Sequence, residues 1–84
     1  MKKSNYKFVP KTTCYWIRSE FKKDNDYLYL TEINGEFFTR FHKDINYSDI
    51  KFFWNIELAR EFLKKMNDND YKGYIVVENH IFNK

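Results

Sequence analysis

Cysteine, proline and glycine are nearly absent: one Cys, one Pro and two Gly stand among 84 residues. A lone cysteine, Cys14, cannot close an internal disulfide, so stability has to come from a packed core, and a reducing, cytoplasmic setting fits. The glycines, Gly35 and Gly73, are too few and too far apart for a phosphate-cradling loop. No stretch approaches the roughly 18 consecutive apolar residues of a membrane-spanning helix. The N-terminal Met1-Lys2-Lys3-Ser4-Asn5-Tyr6-Lys7 is charged but precedes no apolar run, so no conventional signal peptide is expected. Charge of one sign is also lacking. The formal net charge is only +3, and the twelve lysines are scattered among acids rather than gathered into a stripe. That pattern reads as a solvated surface and makes nucleic acid a less favoured partner than protein.

Aromatic residues are plentiful. Nine Phe, seven Tyr and two Trp make up 21% of the chain. Such bulky, low-entropy side chains suit a domain that hides only about 60–65% of the surface of its unfolded chain. They also argue against intrinsic disorder. Lys, Asn, Ile, Tyr and Phe fill more than half of the sequence. All have AT-rich codons, which points to a low-GC bacterium or its phages.

Residues 1–84 read as a single α+β domain, with an N-terminal arm at 1–12 and a C-terminal tail at 80–84. Thr13 to Phe21 and Tyr27 to Ile33 are β-branched and aromatic and read as strands, separated by a turn at Lys22–Asp26. Asn34-Gly35 is the type I′ hairpin dipeptide, because both positions favour φ > 0. It leads into a third strand, Glu36 to His42. This turn fixes a register: Ile33 opposite Glu36, Glu32 opposite Phe37, Leu30 opposite Thr39, Leu28 opposite Phe41. Residues opposite one another share a face. Leu28, Leu30, Phe37 and Phe41 therefore form the core side, with Tyr27, Tyr29, Thr31, Ile33, Phe38, Arg40 and His42 on the other. With a four-residue first loop, Tyr15, Ile17, Ser19 and Phe21 join the core side, and Cys14, Trp16, Arg18 and Glu20 the second. Lys43–Lys51 reads as a polar loop. Asn55 is the expected N-cap of a helix over 56–66, whose Ile56, Ala59, Phe62, Leu63 and Met66 follow the spacing of a buried stripe. Lys72 to Glu78 reads as a fourth strand, which either extends the meander or pairs with the first. The expected architecture is a three-stranded antiparallel meander, one amphipathic helix packed on the sheet, then a fourth strand: β-β-β-α-β.

Signals for chemistry are weak. Cys14 has no local nucleophile signature and reads as a small packing residue. His42 and His80 lack companions at zinc-ligand spacing. The two Asp-Asn-Asp triplets, at 24–26 and 68–70, lack the glycine and glutamate of a calcium loop and read as turn formers. Glu57 and Glu61 lie on a solvated helix face rather than in a cleft. No catalytic residue, metal site or cofactor is expected. The departure from a clean amphipathic pattern is the second sheet face. There Trp16, Arg18, Tyr27, Tyr29, Phe38 and Arg40, residue types enriched in binding hot spots, form the candidate partner-binding set. Three segments are candidates to cover it from within: the arm with Tyr6, Phe8 and Val9, the tail with Ile81 and Phe82, or the loop carrying Tyr47, Ile50, Phe52, Phe53 and Trp54. If it is bare, Arg interleaved with aromatics also suits stacking of single-stranded bases.

From Phe52 to Met66 the chain reads Phe-Phe-Trp-Asn-Ile-Glu-Leu-Ala-Arg-Glu-Phe-Leu-Lys-Lys-Met. With the Asn-Gly hairpin before it and Gly-Tyr-Ile-Val-Val after it, this resembles short phage and mobile-element accessory proteins, anti-CRISPR and other anti-defence inhibitors among them. The resemblance is one of style and transfers no catalytic residue. It implies a small cytoplasmic inhibitor that occupies the surface of a host protein, such as a CRISPR effector nuclease. The basic net charge argues against mimicry of DNA.

Overall fold

The computed structural model describes residues 11–82. Strand β1 spans Lys11–Ser19, β2 Leu28–Ile33, β3 Glu36–Phe41 and β4 Tyr74–Phe82, with one helix, α1, at Ile56–Asp68. The order β-β-β-α-β is as expected, and the four strands form one antiparallel sheet in the order β3-β2-β1-β4. The choice left open by the sequence is thus resolved, since β4 pairs with β1 from Lys11↔Phe82 to Ser19↔Tyr74. The pairing takes up Lys11 and Thr12 of the expected arm and residues 80–82 of the expected tail. The arm residues Tyr6, Phe8 and Val9 lie outside the described residues.

Local chemistry accounts for the turns. Asn34 and Gly35 both adopt positive φ, 53° and 79°, and the β2–β3 register is the one the turn dictates. The β1–β2 connection differs from expectation. Asp24 and Asn25 take φ 53° and 65°, closing a tight turn between Lys23 and Asp26. β1 stops at Ser19, whose hydroxyl accepts the Leu28 N–H at 3.0 Å. Arg18 consequently pairs with Tyr29, two residues away from the expected register. A slip of two leaves every residue on its expected face. Phe21, however, falls outside the strand and is 76% exposed rather than in the core.

Asn55 caps α1 through its side-chain oxygen, which accepts the Glu57 N–H at 2.7 Å. At the other end Asp70, at φ 67°, closes a Schellman motif: Tyr71 N–H reaches the Met66 carbonyl at 2.9 Å and Asp70 N–H the Asn67 carbonyl at 3.2 Å. Both Asp-Asn-Asp triplets thus supply left-handed turn residues: Asp24 and Asn25 in the first, Asp70 in the second. The helix packs on β1 and β4, where Ile17, Leu30, Phe53, Ala59 and Met66 form the core, flanked by Tyr15, Phe62, Leu63, Tyr74 and Val76.

The unexpected element is the segment from Ile50 to Phe53. β1 and β2 pair only at Arg18 and Tyr29, then diverge. The segment fills the fork. Tyr15 and Phe53 exchange both backbone hydrogen bonds at 2.8 Å, and Lys51 N–H donates to the Leu30 carbonyl at 3.0 Å. Backbone groups that the parted strands would leave open are satisfied in this way. Side chains alternate along the segment: Lys51 and Phe53 face the helix side, while Phe52 turns to the second face against Trp16.

Candidate partner-binding surface

The six residues singled out on the second face share it as expected, but they differ in access. Trp16 is only 8% exposed. Tyr29, Tyr47 and Phe52 surround its ring at centroid distances of 5.9, 6.1 and 5.8 Å. Of the three candidate covers, the loop bearing Tyr47 and Phe52 lies over it. Trp16 is therefore an interior side chain, where the sequence pattern suggested an exposed one. Arg18, Tyr27 and Tyr29 are half-buried. The Arg18 guanidinium sits 4.0 Å from the Tyr27 ring centroid and donates to the Ser19 carbonyl at 2.7 Å. Burial pushes the Tyr29 hydroxyl above its ordinary pKa, with the Arg18 charge acting in the opposite direction. Phe38 and Arg40 remain exposed, with the guanidinium 5.6 Å from the Phe38 ring. Cys14 is fully buried, and burial raises its thiol pKa, opposed by a hydrogen bond from Asn79. A thiol so placed is a poor nucleophile.

Exposed apolar surface gathers elsewhere, along the seam between β3 and α1. Phe37 meets Phe62 of α1 at 4.8 Å, edge to face. Two hollows that share Phe37 and Phe62 flank this pair. One, about 310 Å³, is lined by Leu30, Phe37, Phe38, Thr39, Phe62, Met66 and Tyr71. The other, about 460 Å³, is lined by Phe37, Lys51, Phe52, Phe53, Trp54, Leu58, Glu61, Phe62 and Lys65. Five of the seven large hydrophobics exposed among the described residues, Phe37, Phe38, Trp54, Leu58 and Tyr71, line these hollows, leaving only Phe21 and Tyr47 apart.

Three local signals hold this band in place. The Asn34-Gly35 turn fixes Phe37 on the helix side of β3. The Asn55 cap sets Trp54 immediately before α1 and Leu58 in its first turn. The Schellman motif turns Tyr71 back toward Met66. Lys51 lies within the band, its ammonium 6.0 Å from the Phe37 ring, 5.5 Å from Phe53 and 3.2 Å from the Glu32 carboxylate. A cation held over aromatic faces adds a polar contact to a strip that is mostly aromatic, with Thr39, Glu61 and Lys65 also lining it.

Sequence reasoning missed most of these residues. Phe37 counts as core by its face, and Leu58 falls off the buried helical stripe. The available signal was geometric. A helix about 10 Å across covers roughly two strands spaced about 4.8 Å apart, so one helix cannot cover a four-stranded sheet. Since α1 lies on β1 and β4, Leu30 of β2 is still buried in the core, but Phe37 on the helix side of the edge strand β3 stays exposed.

The fold and this surface define the chain as a small α+β protein with a partly covered sheet. It matches no protein-family model, no curated protein and no solved structure.

Proposed function

We propose that this chain is a non-catalytic protein-binding module that acts by occupying a surface of another protein. The observation that carries the reading is the aromatic band around Phe37 and Phe62. Contiguous exposed apolar surface rimmed by charge is the usual mark of a protein contact. Trp54 and Tyr71 are of the residue types that dominate binding energy. Arg40 beside Phe38 extends the band round the β3 edge onto the exposed part of the second face. The more specific reading, a phage-type inhibitor that sterically blocks a host CRISPR nuclease, draws on the resemblance and on the AT-rich composition.

Tagged protein used as bait in a low-GC bacterial lysate, followed by titration of the captured protein after purification, tests the site. Trp54→Ala combined with Leu58→Glu is expected to weaken binding about thirtyfold or more, the scale of a lost hot spot. Phe21→Ala, exposed but off the band, is expected to leave affinity unchanged. Equal affinity of wild type and the double variant would remove the band from the account. If purified single-stranded nucleic acid binds instead, with affinity falling steeply in salt, the second face acts as a stacking surface and the protein-binding reading fails.

A further inference from the structure

β3 is an edge strand, and the hairpin register shows which of its backbone groups are open. His42 N–H donates to the Tyr27 carbonyl at 3.0 Å, so residues 27 and 42 form a hydrogen-bonded pair. Such pairs recur at every second residue of an antiparallel ladder. With the observed register, 29–40, 31–38 and 33–36 are hydrogen-bonded pairs as well. The N–H and C=O groups of Phe37, Thr39 and Phe41 therefore point away from β2. No described residue pairs with that edge. On the second face β3 presents Glu36, Phe38 and Arg40, all exposed. Neither Glu36 nor Arg40 has an ion-pair partner among the described residues.

An acid at one end of an open strand and a base at the other make the strand complementary to its own reverse. We propose that two copies of this chain join β3 to β3, antiparallel, about a two-fold axis at Phe38. Glu36 of each copy then faces Arg40 of the other, and Phe38 faces Phe38. These are non-hydrogen-bonded pairs, where side chains come closest. Phe37 and Thr39 supply the new hydrogen bonds from their outward backbone groups. An axis at Thr39 leaves Arg40 opposite Phe38 and gives Glu36 only the titratable His42. An axis at Arg40 sets two guanidiniums against each other. The Phe38-centred register alone matches both permanent charges. The opposite edge differs, because Glu78 of β4 is already held by His80 of the same strand at 3.1 Å. The contact is isologous and closed, giving one eight-stranded sheet with both helices on one side and the two aromatic bands meeting across the seam. It stands independently of the functional reading.

Sedimentation of the pure protein over a concentration series tests the pairing without any partner. The expected result is a shift from the 10.5 kDa monomer to twice that mass. Glu36→Arg and Arg40→Glu, singly, each set two pairs of like charges in opposition and weaken the dimer about tenfold or more. The double variant, with the charges exchanged, restores it. Thr39→Pro removes an outward N–H that the monomer does not use, so it abolishes the dimer while circular dichroism stays native. A wild-type protein that stays monomeric at high micromolar concentration overturns the proposal. So does a dimer indifferent to these substitutions, or a double variant that remains weakened.

Discussion

Trp16→Ala is expected to cost about 3–5 kcal/mol of folding stability, the range for removing a buried aromatic side chain. Natural domains hold about 5–15 kcal/mol in total, so the variant should lose a large fraction of its stability. The cost is that high because Trp16 is the centre of a layer. Tyr29 meets it from β2, and Tyr47 and Phe52 from the loop above. Removing the indole strips those rings of their common contact. Trp16→Phe is expected to cost less, about 1–2 kcal/mol, since a six-membered aromatic ring remains and only part of the indole is lost. The indole N–H is buried and has no hydrogen-bond partner among the described residues, so Phe gives up no such bond there. Urea unfolding followed by circular dichroism measures both. A Trp16→Ala variant within about 1 kcal/mol of wild type would place Trp16 on an open surface.

Phe53→Ala is the second large effect, again about 3–5 kcal/mol. Phe53 is 7% exposed and packs with Ile17, Leu30, Ala59 and Met66, and it lies 5.5 Å from the Phe62 ring. Its backbone is also bonded twice to Tyr15, so the side chain anchors the segment that fills the fork between β1 and β2. The neighbours should respond in graded order. Phe52→Ala, half-buried on the second face, should cost less, and Trp54→Ala, 63% exposed, close to nothing. That order follows from the alternation of the segment, and the same unfolding series reads it. A larger loss at Phe52 than at Phe53 would put the segment in the opposite pleat.

Much of this was legible in the sequence, for reasons that are local. Asn34-Gly35 sets the β2–β3 register because few turns tolerate two consecutive positive φ values. Asn55 and the stripe Ala59, Phe62, Leu63 and Met66 define the helix by capping and periodicity. The faces of β1 were read correctly even though its pairing slipped by two, since parity survives an even shift. What stayed hidden is non-local. Nothing in Asn46–Trp54 has strand alternation long enough to announce that it lies between β1 and β2, because its hydrogen bonds are made with residues about 20 and 40 positions away. The exposure of the aromatic side chains was misjudged for a related reason. Alternation tells which face a residue takes but not what covers that face, so Trp16 looked available and Phe37 looked buried. The loop over the second face and the position of α1 on β1 and β4 reverse the two.

The chain has two tryptophans, and they sit on opposite sides of that claim: Trp16 is 8% and Trp54 63% exposed. Fluorescence of the two single-tryptophan variants therefore tests it most directly. With Trp54→Phe, the remaining Trp16 is predicted to emit at short wavelength and to resist acrylamide. With Trp16→Phe, the remaining Trp54 is predicted to emit at long wavelength and to be quenched freely. A red-shifted, readily quenched Trp16 would contradict the account, leaving the second face open and the β3–α1 band without its claim as the main exposed apolar surface.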